Sequence, residues 1–216
     1  MDLDSKYPAI SDLRSKARKR IPHFAWEYLD SATGDESTLH RNRSALDAIH
    51  FVPRGLRGEI KPQLATEFLG KSYSAPFGIA PVGMSGLMWP GAEKTLAGFA
   101  AGAKIPYGMS TVATTTPEDV APCLGDMGWF QMYPPRDEAI RNDMIQRVKN
   151  AGFTTLVVTI DVPAQSRRER QIRGGLVQPP RLTPRILAQV AGCPEWALRT
   201  ALNGKPRMKM IETYGK

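Results

Sequence analysis

The chain has 216 residues, of which 42% are hydrophobic, and a formal net charge of +8 at pH 7. The length allows one large domain or two small ones, and the composition is ordinary for a soluble globular protein. Cys123 and Cys193 lie far apart, which argues against a disulfide framework or a zinc site and favours a reducing, intracellular setting.

Targeting and membrane-spanning signals are weak. The opening ten residues are polar, unlike a signal peptide. The longest uncharged stretch, residues 72–92, contains three prolines and four glycines. A lipid-exposed helix with that composition would leave backbone groups unpaired, so a buried strand followed by a loop fits better.

The positive charge is concentrated near the end of the sequence. Residues 1–166 carry 18 Lys/Arg and 18 Asp/Glu, whereas residues 167–216 carry 11 and 3. Such an asymmetry predicts a segment that meets an anionic surface.

Residues 1–75 predict helices followed by a connector. Ser11 is expected to cap one helix, and Pro22 to lie in the first turn of the next. Residues 51–62 hold two prolines and two glycines and predict the connector. Residues 64–73 alternate weakly and predict a short hairpin outside the main sheet.

Four apolar runs that end in polar residues predict parallel strands joined by crossover helices. The runs are 76–84, 107–111, 129–133 and 155–161. Helices are expected between them, with Thr116 and Asp137 as capping residues and Gly152 ending the second of those helices. The pattern predicts an α/β fold, but it does not choose between an open sheet and a barrel.

The strand rhythm stops after residue 161. Two short helices are predicted beyond it, one starting at Thr183-Pro184 and one at Pro194-Glu195. Residues 162–216 therefore form the third predicted segment, after the helical segment 1–75 and the strand-bearing segment 76–161.

The polar residues at the predicted strand ends offer neutral hydrogen-bonding groups. Ser110, Gln131 and Thr159 supply hydroxyl and amide groups, and Pro81-Val82-Gly83 supplies backbone. In parallel α/β folds such ends form the active site. The set suits a neutral heteroaromatic ligand and not a metal, since no His, Asp or Glu cluster falls there. The alternative is that these residues merely finish strands.

The sequence resembles the FMN-dependent α-hydroxy-acid dehydrogenase family, which includes lactate and mandelate dehydrogenases and glycolate oxidase. The closing stretch is similar to the quinone-linked lactate branch. The resemblance covers nearly the whole chain, and the matching segments are FAWEYLDSATGDEST (24–38), IAPVGM (79–84), MST (109–111) with AT (113–114), WFQMY (129–133) and VTIDVPAQSRRER (158–170).

The resemblance implies a TIM (β/α)8 barrel that binds FMN at its carboxyl end, with this chain carrying the N-terminal helices and about the first four βα units. It assigns cofactor contacts to Pro81, Val82, Gly83, Ser110, Gln131 and Thr159. It assigns substrate contacts to Tyr28, Tyr133 and Arg168. A planar guanidinium can hold a carboxylate through two hydrogen bonds, which suits Arg168.

Other interpretations of nearby residues stay open. Tyr28 could instead be a core aromatic beside Trp26. Arg167 and Arg170 are expected to be solvated or to bind a surface. Asp161 is expected to be buried in a structural ion pair.

The family's general-base histidine, a lysine near the flavin and a second arginine have no match here. The histidines are His23, His40 and His50, so the resemblance implies no catalytic residue in this chain and places the base beyond residue 216. We therefore expect the 216 residues alone neither to fold stably nor to catalyse. The alternatives are a non-catalytic fragment of such an enzyme and an FMN barrel enzyme with other chemistry.

The implied activity is oxidation of an L-2-hydroxy acid to a 2-oxo acid, with L-lactate the first choice and mandelate the second. Electrons would pass to a quinone or another acceptor, and Gly83 favours a dehydrogenase over an oxidase. The resemblance implies a homo-oligomer at full length and no nucleic acid partner. It also implies a cytoplasmic protein able to sit peripherally on the inner face of the cell membrane.

Residues 162–216 resemble a mobile, membrane-reaching insert of the family. Basic residues are interleaved there with five apolar ones that suit an anionic membrane surface. The five are Ile186, Leu187, Trp196, Leu198 and Leu202. The alternative is a basic loop that attracts an anionic substrate or packs on another subunit.

Overall fold

A computed structural model describes residues 2–161, 164, 166–176 and 183–215. Its first part is helical, as predicted, and contains α1 (Leu3–Lys6), α2 (Ile10–Arg20), α3 (His23–Asp30) and α4 (Ser37–Asp47). Ser11 lies inside α2, so its predicted capping role is wrong. Ala9 precedes the helix instead, and its N–H donates to the Asp12 carboxylate at 3.0 Å.

The predicted hairpin is confirmed as antiparallel strands β1 (Thr66–Phe68) and β2 (Lys71–Tyr73). It covers the amino end of the main sheet, where the Trp129 indole N–H donates to the Tyr73 hydroxyl at 2.9 Å. The connector before it, residues 51–62, contains neither helix nor strand.

The strand-bearing segment alternates helices with parallel strands. Its elements are α5 (Ser85–Met88), α6 (Ala92–Ala103), β3 (Tyr107–Ser110), α7 (Pro117–Leu124), β4 (Gly128–Met132), α8 (Glu138–Asn150) and β5 (Thr155–Val158). Within the described residues the three strands form one parallel sheet in the order β3-β4-β5, which does not close into a barrel. Thr116 and Asp137 cap α7 and α8 as predicted.

The first predicted strand, 76–84, is reduced to a single bridge. Ile79 donates to the Pro106 carbonyl and accepts from the Gly108 N–H, each at 2.8 Å, which places it beside β3. Pro81 has no N–H and ends the ladder there. The segment can pass close to β3 because Gly108 has no side chain. A Cβ there would lie 2.9 Å from the Pro81 nitrogen.

The main core lies between this sheet and helices α6 to α8. Met109 and Phe130 on the strands are fully buried, and so are Val120 and Leu124 on α7. Helix α6 presents small residues to the same core, including Ala97 and Ala100, which are both fully buried. Small side chains let the helix approach the sheet closely.

The last segment contains four described helices: α9 (Glu169–Gly174), α10 (Pro184–Ala191), α11 (Pro194–Asn203) and α12 (Lys209–Glu212). The sequence predicts α10 and α11, and the Thr183 hydroxyl caps α10. It does not predict α9. Residues 162, 163, 165 and 177–182 of this segment lie outside the described residues.

Two of the five apolar residues expected to face a membrane are buried in the protein, so that part of the prediction is wrong. Ile186 and Trp196 are 8% and 4% exposed, and the Trp196 indole N–H donates to the Leu87 carbonyl at 3.0 Å. Leu187, Leu198 and Leu202 remain exposed. Across the described ranges, no helix combines the length and apolarity needed to cross a bilayer.

Candidate functional site

Three side chains at the carboxyl ends of β3, β4 and β5 form a continuous hydrogen-bonded chain. The Ser110 hydroxyl donates to Gln131 Oε1 at 3.0 Å, and Gln131 Nε2 donates to Thr159 Oγ1 at 2.8 Å. Ser110 and Gln131 are register partners on adjacent strands, and Thr159 directly follows β5. The structure therefore brings together the three side chains that the sequence proposes as one set.

The hydrogen-bonded chain of Ser110, Gln131 and Thr159 retains donors and acceptors that its internal contacts do not use. Ser110 and Gln131 are 4% and 5% exposed, so both are packed inside the protein. An amide carries two N–H donors and an oxygen with two lone pairs, and the Thr159 hydroxyl has a proton to donate. Gln131 and Thr159 can thus add donor and acceptor contacts to a neutral ligand without breaking the chain.

Gly83 lies next to the hydrogen-bonded chain of side chains. A Cβ built on Gly83 would lie 2.6 Å from a Val112 methyl, 3.2 Å from the Tyr28 hydroxyl and 3.9 Å from Ser110 Oγ. Pro81 and Val82, which precede it, are exposed. The backbone of this segment is therefore accessible, and the missing side chain leaves room for the groups around it.

Arg168 and Tyr133 both lie within electrostatic reach of Tyr28. Burial raises the pKa of Tyr28, the charge of Arg168 opposes that rise, and Tyr133 adds to it. The Tyr28 phenol is therefore protonated at neutral pH and able to donate a hydrogen bond. The side chain of Tyr133 is 43% exposed, and Arg168 is exposed as well.

Thr111 positions Tyr133, a role that the sequence does not reveal. The Thr111 hydroxyl donates to the Gln131 carbonyl at 2.6 Å and accepts from the Tyr133 N–H at 3.2 Å. Thr111 is only 2% exposed. It follows Ser110 directly, so a second polar residue at a strand end is the one signal that could have found it.

A buried carboxylate supports the loops around the site. Glu93, at the start of α6, is 2% exposed and accepts from the N–H groups of Gly86 and Thr114 at 3.1 and 2.9 Å. It thereby joins the segment after Gly83 to the loop after β3. A sequence reading takes an acid in the first turn of a helix as a favourable dipole contact and misses this role.

The expectations for Arg170 and Asp161 are wrong. The Arg170 side chain is only 30% exposed, and its guanidinium binds the carboxylates of Glu27, Asp30 and Glu36 instead of standing free in solvent. Asp161 is exposed. The buried acids of the described residues include Glu27 and Glu93.

Arg167 and the three histidines are exposed. The Arg167 side chain is 80% exposed, with the Glu169 carboxylate 3.9 Å away. His23 begins α3, His40 lies in α4, and His50 lies between α4 and the connector.

Comparison with known proteins identifies both a family and individual relatives. The family described as FMN-dependent dehydrogenase matches residues 17–215. L-lactate dehydrogenase of Vibrio parahaemolyticus is 36% identical over 207 residues, which cover 95% of this chain and 54% of that protein. L-lactate dehydrogenase of Xanthomonas campestris pv. campestris is 37% identical over 207 residues, which cover 95% and 53%. The chain spans about half the length of the curated relatives it matches.

Solved structures give the same assignment. The crystal structure of the monotopic membrane protein (S)-mandelate dehydrogenase matches with a TM-score of 0.86 and 30% identity, covering 95% of this chain and 58% of that one. A mandelate oxidase structure matches with a TM-score of 0.74 and 32% identity, covering 83% of this chain and 51% of that one.

Proposed function

Because the chain belongs to the FMN-dependent dehydrogenase family, we propose that the ends of β3, β4 and β5 bind FMN and that the whole protein oxidises an L-2-hydroxy acid to a 2-oxo acid. The observation that carries the proposal is the hydrogen-bonded chain from Ser110 through Gln131 to Thr159, with Gly83 beside it. We further propose that the described strands and helices form the first part of a (β/α)8 barrel.

The residues present fit FMN. Its flat ring system carries carbonyl and imino groups along one edge, and Gln131 and Thr159 offer the matching mixture of donors and acceptors. Gly83 carries no side chain, and Pro81 and Val82 before it are exposed, so a planar ring can approach this segment. When bound, FMN supplies an acceptor for the two electrons removed from the substrate.

Substrate binding is assigned to Arg168, Tyr28 and Tyr133. An exposed guanidinium can hold the carboxylate of a 2-hydroxy acid through two hydrogen bonds. The raised pKa of Tyr28 makes its phenol a hydrogen-bond donor at neutral pH. These residues bind and orient the substrate, and proton abstraction is not assigned to any of His23, His40 or His50.

The names of the relatives support a small 2-hydroxy acid as substrate. L-lactate is our first choice and mandelate our second, since the sequence relatives reported above are named L-lactate dehydrogenase and the two solved structures reported above are named for mandelate. We propose a quinone or another carrier as the electron acceptor, a dehydrogenase and not an oxidase activity, and a homo-oligomeric whole protein.

Peripheral membrane association is part of the same proposal. Leu187, Leu198 and Leu202 are 54%, 62% and 77% exposed on α10 and α11, a segment with excess positive charge. Exposed apolar side chains next to cations favour an anionic bilayer surface. The similarity to a monotopic membrane protein supports this interpretation.

FMN binding tests the cofactor site. Gln131→Leu removes the central link of the chain and should weaken FMN binding at least tenfold in a fluorescence-quenching titration. Gln146→Leu is the matched control, because Gln146 is exposed on α8, where its side-chain amide donates to Asn150 at 2.7 Å. Equal FMN affinity for both variants contradicts the proposed cofactor site.

Substrate and membrane binding are tested separately. In the FMN-loaded whole protein, L-lactate should bleach the flavin absorbance in the absence of oxygen. A whole protein whose flavin no 2-hydroxy acid bleaches contradicts the proposed activity. Leu202→Ser should reduce co-sedimentation with phosphatidylglycerol vesicles, whereas Leu46→Ser on α4, 67% exposed in the parent, should not. Equal co-sedimentation of the two variants contradicts the membrane surface.

A further inference from the structure

Arg170 lies at the centre of a network of three carboxylates. Its Nε and Nη2 donate to the two Glu27 oxygens at 2.6 and 3.2 Å. Nη2 also donates to the Asp30 carboxylate at 3.0 Å, and Nη1 donates to the Glu36 carboxylate at 3.0 Å and to the Asp30 carbonyl at 3.3 Å. Because every N–H group of the Arg170 guanidinium donates within the protein, none is available to a ligand.

All three carboxylates belong to α3 or to the turn that follows it. Glu27 is only 5% exposed and directly precedes Tyr28 on that helix. Arg170 therefore joins the start of α9 to the helix that carries Tyr28. The hydrogen bond with Glu27, ahead of those with Asp30 and Glu36, raises the pKa of Arg170, so its guanidinium stays charged.

The backbone of Arg168 is held on both sides. The preceding carbonyl, that of Arg167, accepts from the Gly34 N–H at 3.2 Å. The Arg168 carbonyl accepts from the Ile172 N–H at 3.2 Å, within the first turn of α9. Gly174 at the end of α9 packs against Glu27, where an added Cβ would lie 3.3 Å from the Glu27 side chain.

Two arginines two positions apart thus have opposite environments. Arg170 is fully engaged with the protein, whereas the Arg168 side chain is exposed beside Tyr28 and Tyr133. We propose that Arg170 is a positioning residue, which fixes the backbone of Arg168 against α3 and so places the Arg168 guanidinium next to the Tyr28 hydroxyl. This inference rests on the proposed function, in which Arg168 and Tyr28 bind the substrate.

A role limited to holding α9 on α3 makes a different prediction. Such a role would lower stability when Arg170 is replaced, without changing what surrounds Tyr28 in the folded protein. The pKa of Tyr28 distinguishes the two roles. The charge of Arg168 lowers that pKa.

The experiment measures the Tyr28 pKa by NMR in the purified protein without FMN, labelled at tyrosine Cζ, with Tyr28→Phe to assign the resonance. Arg168→Gln removes the opposing charge directly and should raise the pKa. Arg170→Gln should raise it by the same shift. Arg167→Gln is the matched control and should leave it unchanged, since Arg167 is exposed in the same segment.

Loss of Arg170 leaves Glu27 buried without its main partner, so a second variant is needed. Arg170→Gln/Glu27→Gln replaces the buried ion pair by two amides, and Glu27→Gln alone is its reference. If Arg170→Gln does not fold, the double variant decides by the same criterion. The positioning role is overturned if Arg168→Gln raises the Tyr28 pKa but a folded variant without Arg170 has the same Tyr28 pKa as its reference protein.

Binding of pyruvate separates this inference from the proposed function. Both Arg168→Gln and Arg170→Gln should weaken pyruvate binding to the FMN-loaded protein, and the first should do so more. If both variants raise the Tyr28 pKa but neither changes pyruvate binding, the positioning role stands and the substrate assignment fails. If Arg168→Gln alone weakens pyruvate binding, the substrate assignment stands and the positioning role fails.

Discussion

Glu93 accepts two hydrogen bonds from Thr114 on a single oxygen, from the backbone N–H at 2.9 Å and from the hydroxyl at 2.7 Å. The same oxygen accepts from the Gly86 N–H at 3.1 Å. Because Gly86 lies in α5, just after Gly83, and Thr114 follows β3, this carboxylate holds α5 to the loop after β3, and both flank the proposed flavin site. The site thus depends on a buried acid that does not face the ligand.

Replacement of Glu93 should therefore destabilise the fold. Glu93→Ala leaves three donors without their acceptor, and we expect a loss of about 2–4 kcal/mol in the free energy of unfolding, measured with urea. Glu93→Gln keeps an oxygen in place and should lose less. The matched control is Glu138→Ala, an exposed acid in the first turn of α8. Equal losses for Glu93→Ala and Glu138→Ala would contradict the supporting role.

The ion pair between Glu118 and Arg147 should make stability depend on pH. Arg147 donates to both Glu118 oxygens, at 2.8 and 3.1 Å, and this hydrogen bonding holds the pKa of Glu118 below its ordinary value of 4.5. A depressed carboxyl pKa stabilises the folded state above the unfolded pKa, and the contribution is lost as pH falls through the folded pKa. The contribution is modest, since the Glu118 side chain is 48% exposed.

The comparison of wild type with Glu118→Gln isolates this contribution. The difference in the free energy of unfolding should be constant above pH 4.5 and should shrink towards zero at lower pH. Glu138→Gln, at an exposed position one helix away, should show no such change. If the wild type instead becomes more stable relative to Glu118→Gln as the pH falls, the assigned direction of the Glu118 pKa shift is wrong.

Trp89 attaches α11 to the N-terminal helices. The guanidinium carbons of Arg20 and Arg199 lie 4.5 and 5.2 Å from its ring centroids, and Glu195 pairs with both arginines. Trp89→Leu removes both cation–π contacts, each worth about 0.5–1 kcal/mol at an exposed site. We expect faster hydrogen exchange in α11 and unchanged exchange in β3 to β5. Uniform acceleration across the sheet would instead indicate global destabilisation.

The sequence predicts local structure well where a signal and its partner are close in the chain. The structure confirms three helix caps, in which a side-chain oxygen accepts from the backbone N–H three residues later. The capping residues are Thr116, Asp137 and Thr183. Ser110, Gln131 and Thr159 come together because parallel strands in register align their carboxyl ends. Here strand order alone is enough to place the side chains.

Distant partners explain the errors. Arg170 and Glu27 are separated by 143 positions. The residues around the SRRER segment do not indicate that one of its arginines binds a cluster of carboxylates. The same holds for Trp196, whose indole bonds to Leu87 across 109 positions. An amphipathic pattern identifies an apolar helix face, but it does not say whether protein or lipid covers that face.

The space beside Gly83 provides the last prediction. A Cβ there would lie 2.6 Å from a Val112 methyl, so Gly83→Ala should cost about 1–2 kcal/mol of folding free energy through overpacking. Val112→Ala removes that methyl, and in its background Gly83→Ala should cost about 1 kcal/mol less. Both costs are measured by urea unfolding as a double-mutant cycle.

A glycine with open surroundings provides the control for this cycle. Gly98 lies in α6 with nothing within 4 Å of an added Cβ, so Gly98→Ala should stabilise the protein by about 1 kcal/mol through helix propensity, independently of Val112. An equal cost of Gly83→Ala in both Val112 backgrounds would show that the clash lies elsewhere. The Tyr28 hydroxyl, 3.2 Å from the added carbon, would then be the remaining close contact, and its displacement would appear as weaker pyruvate binding.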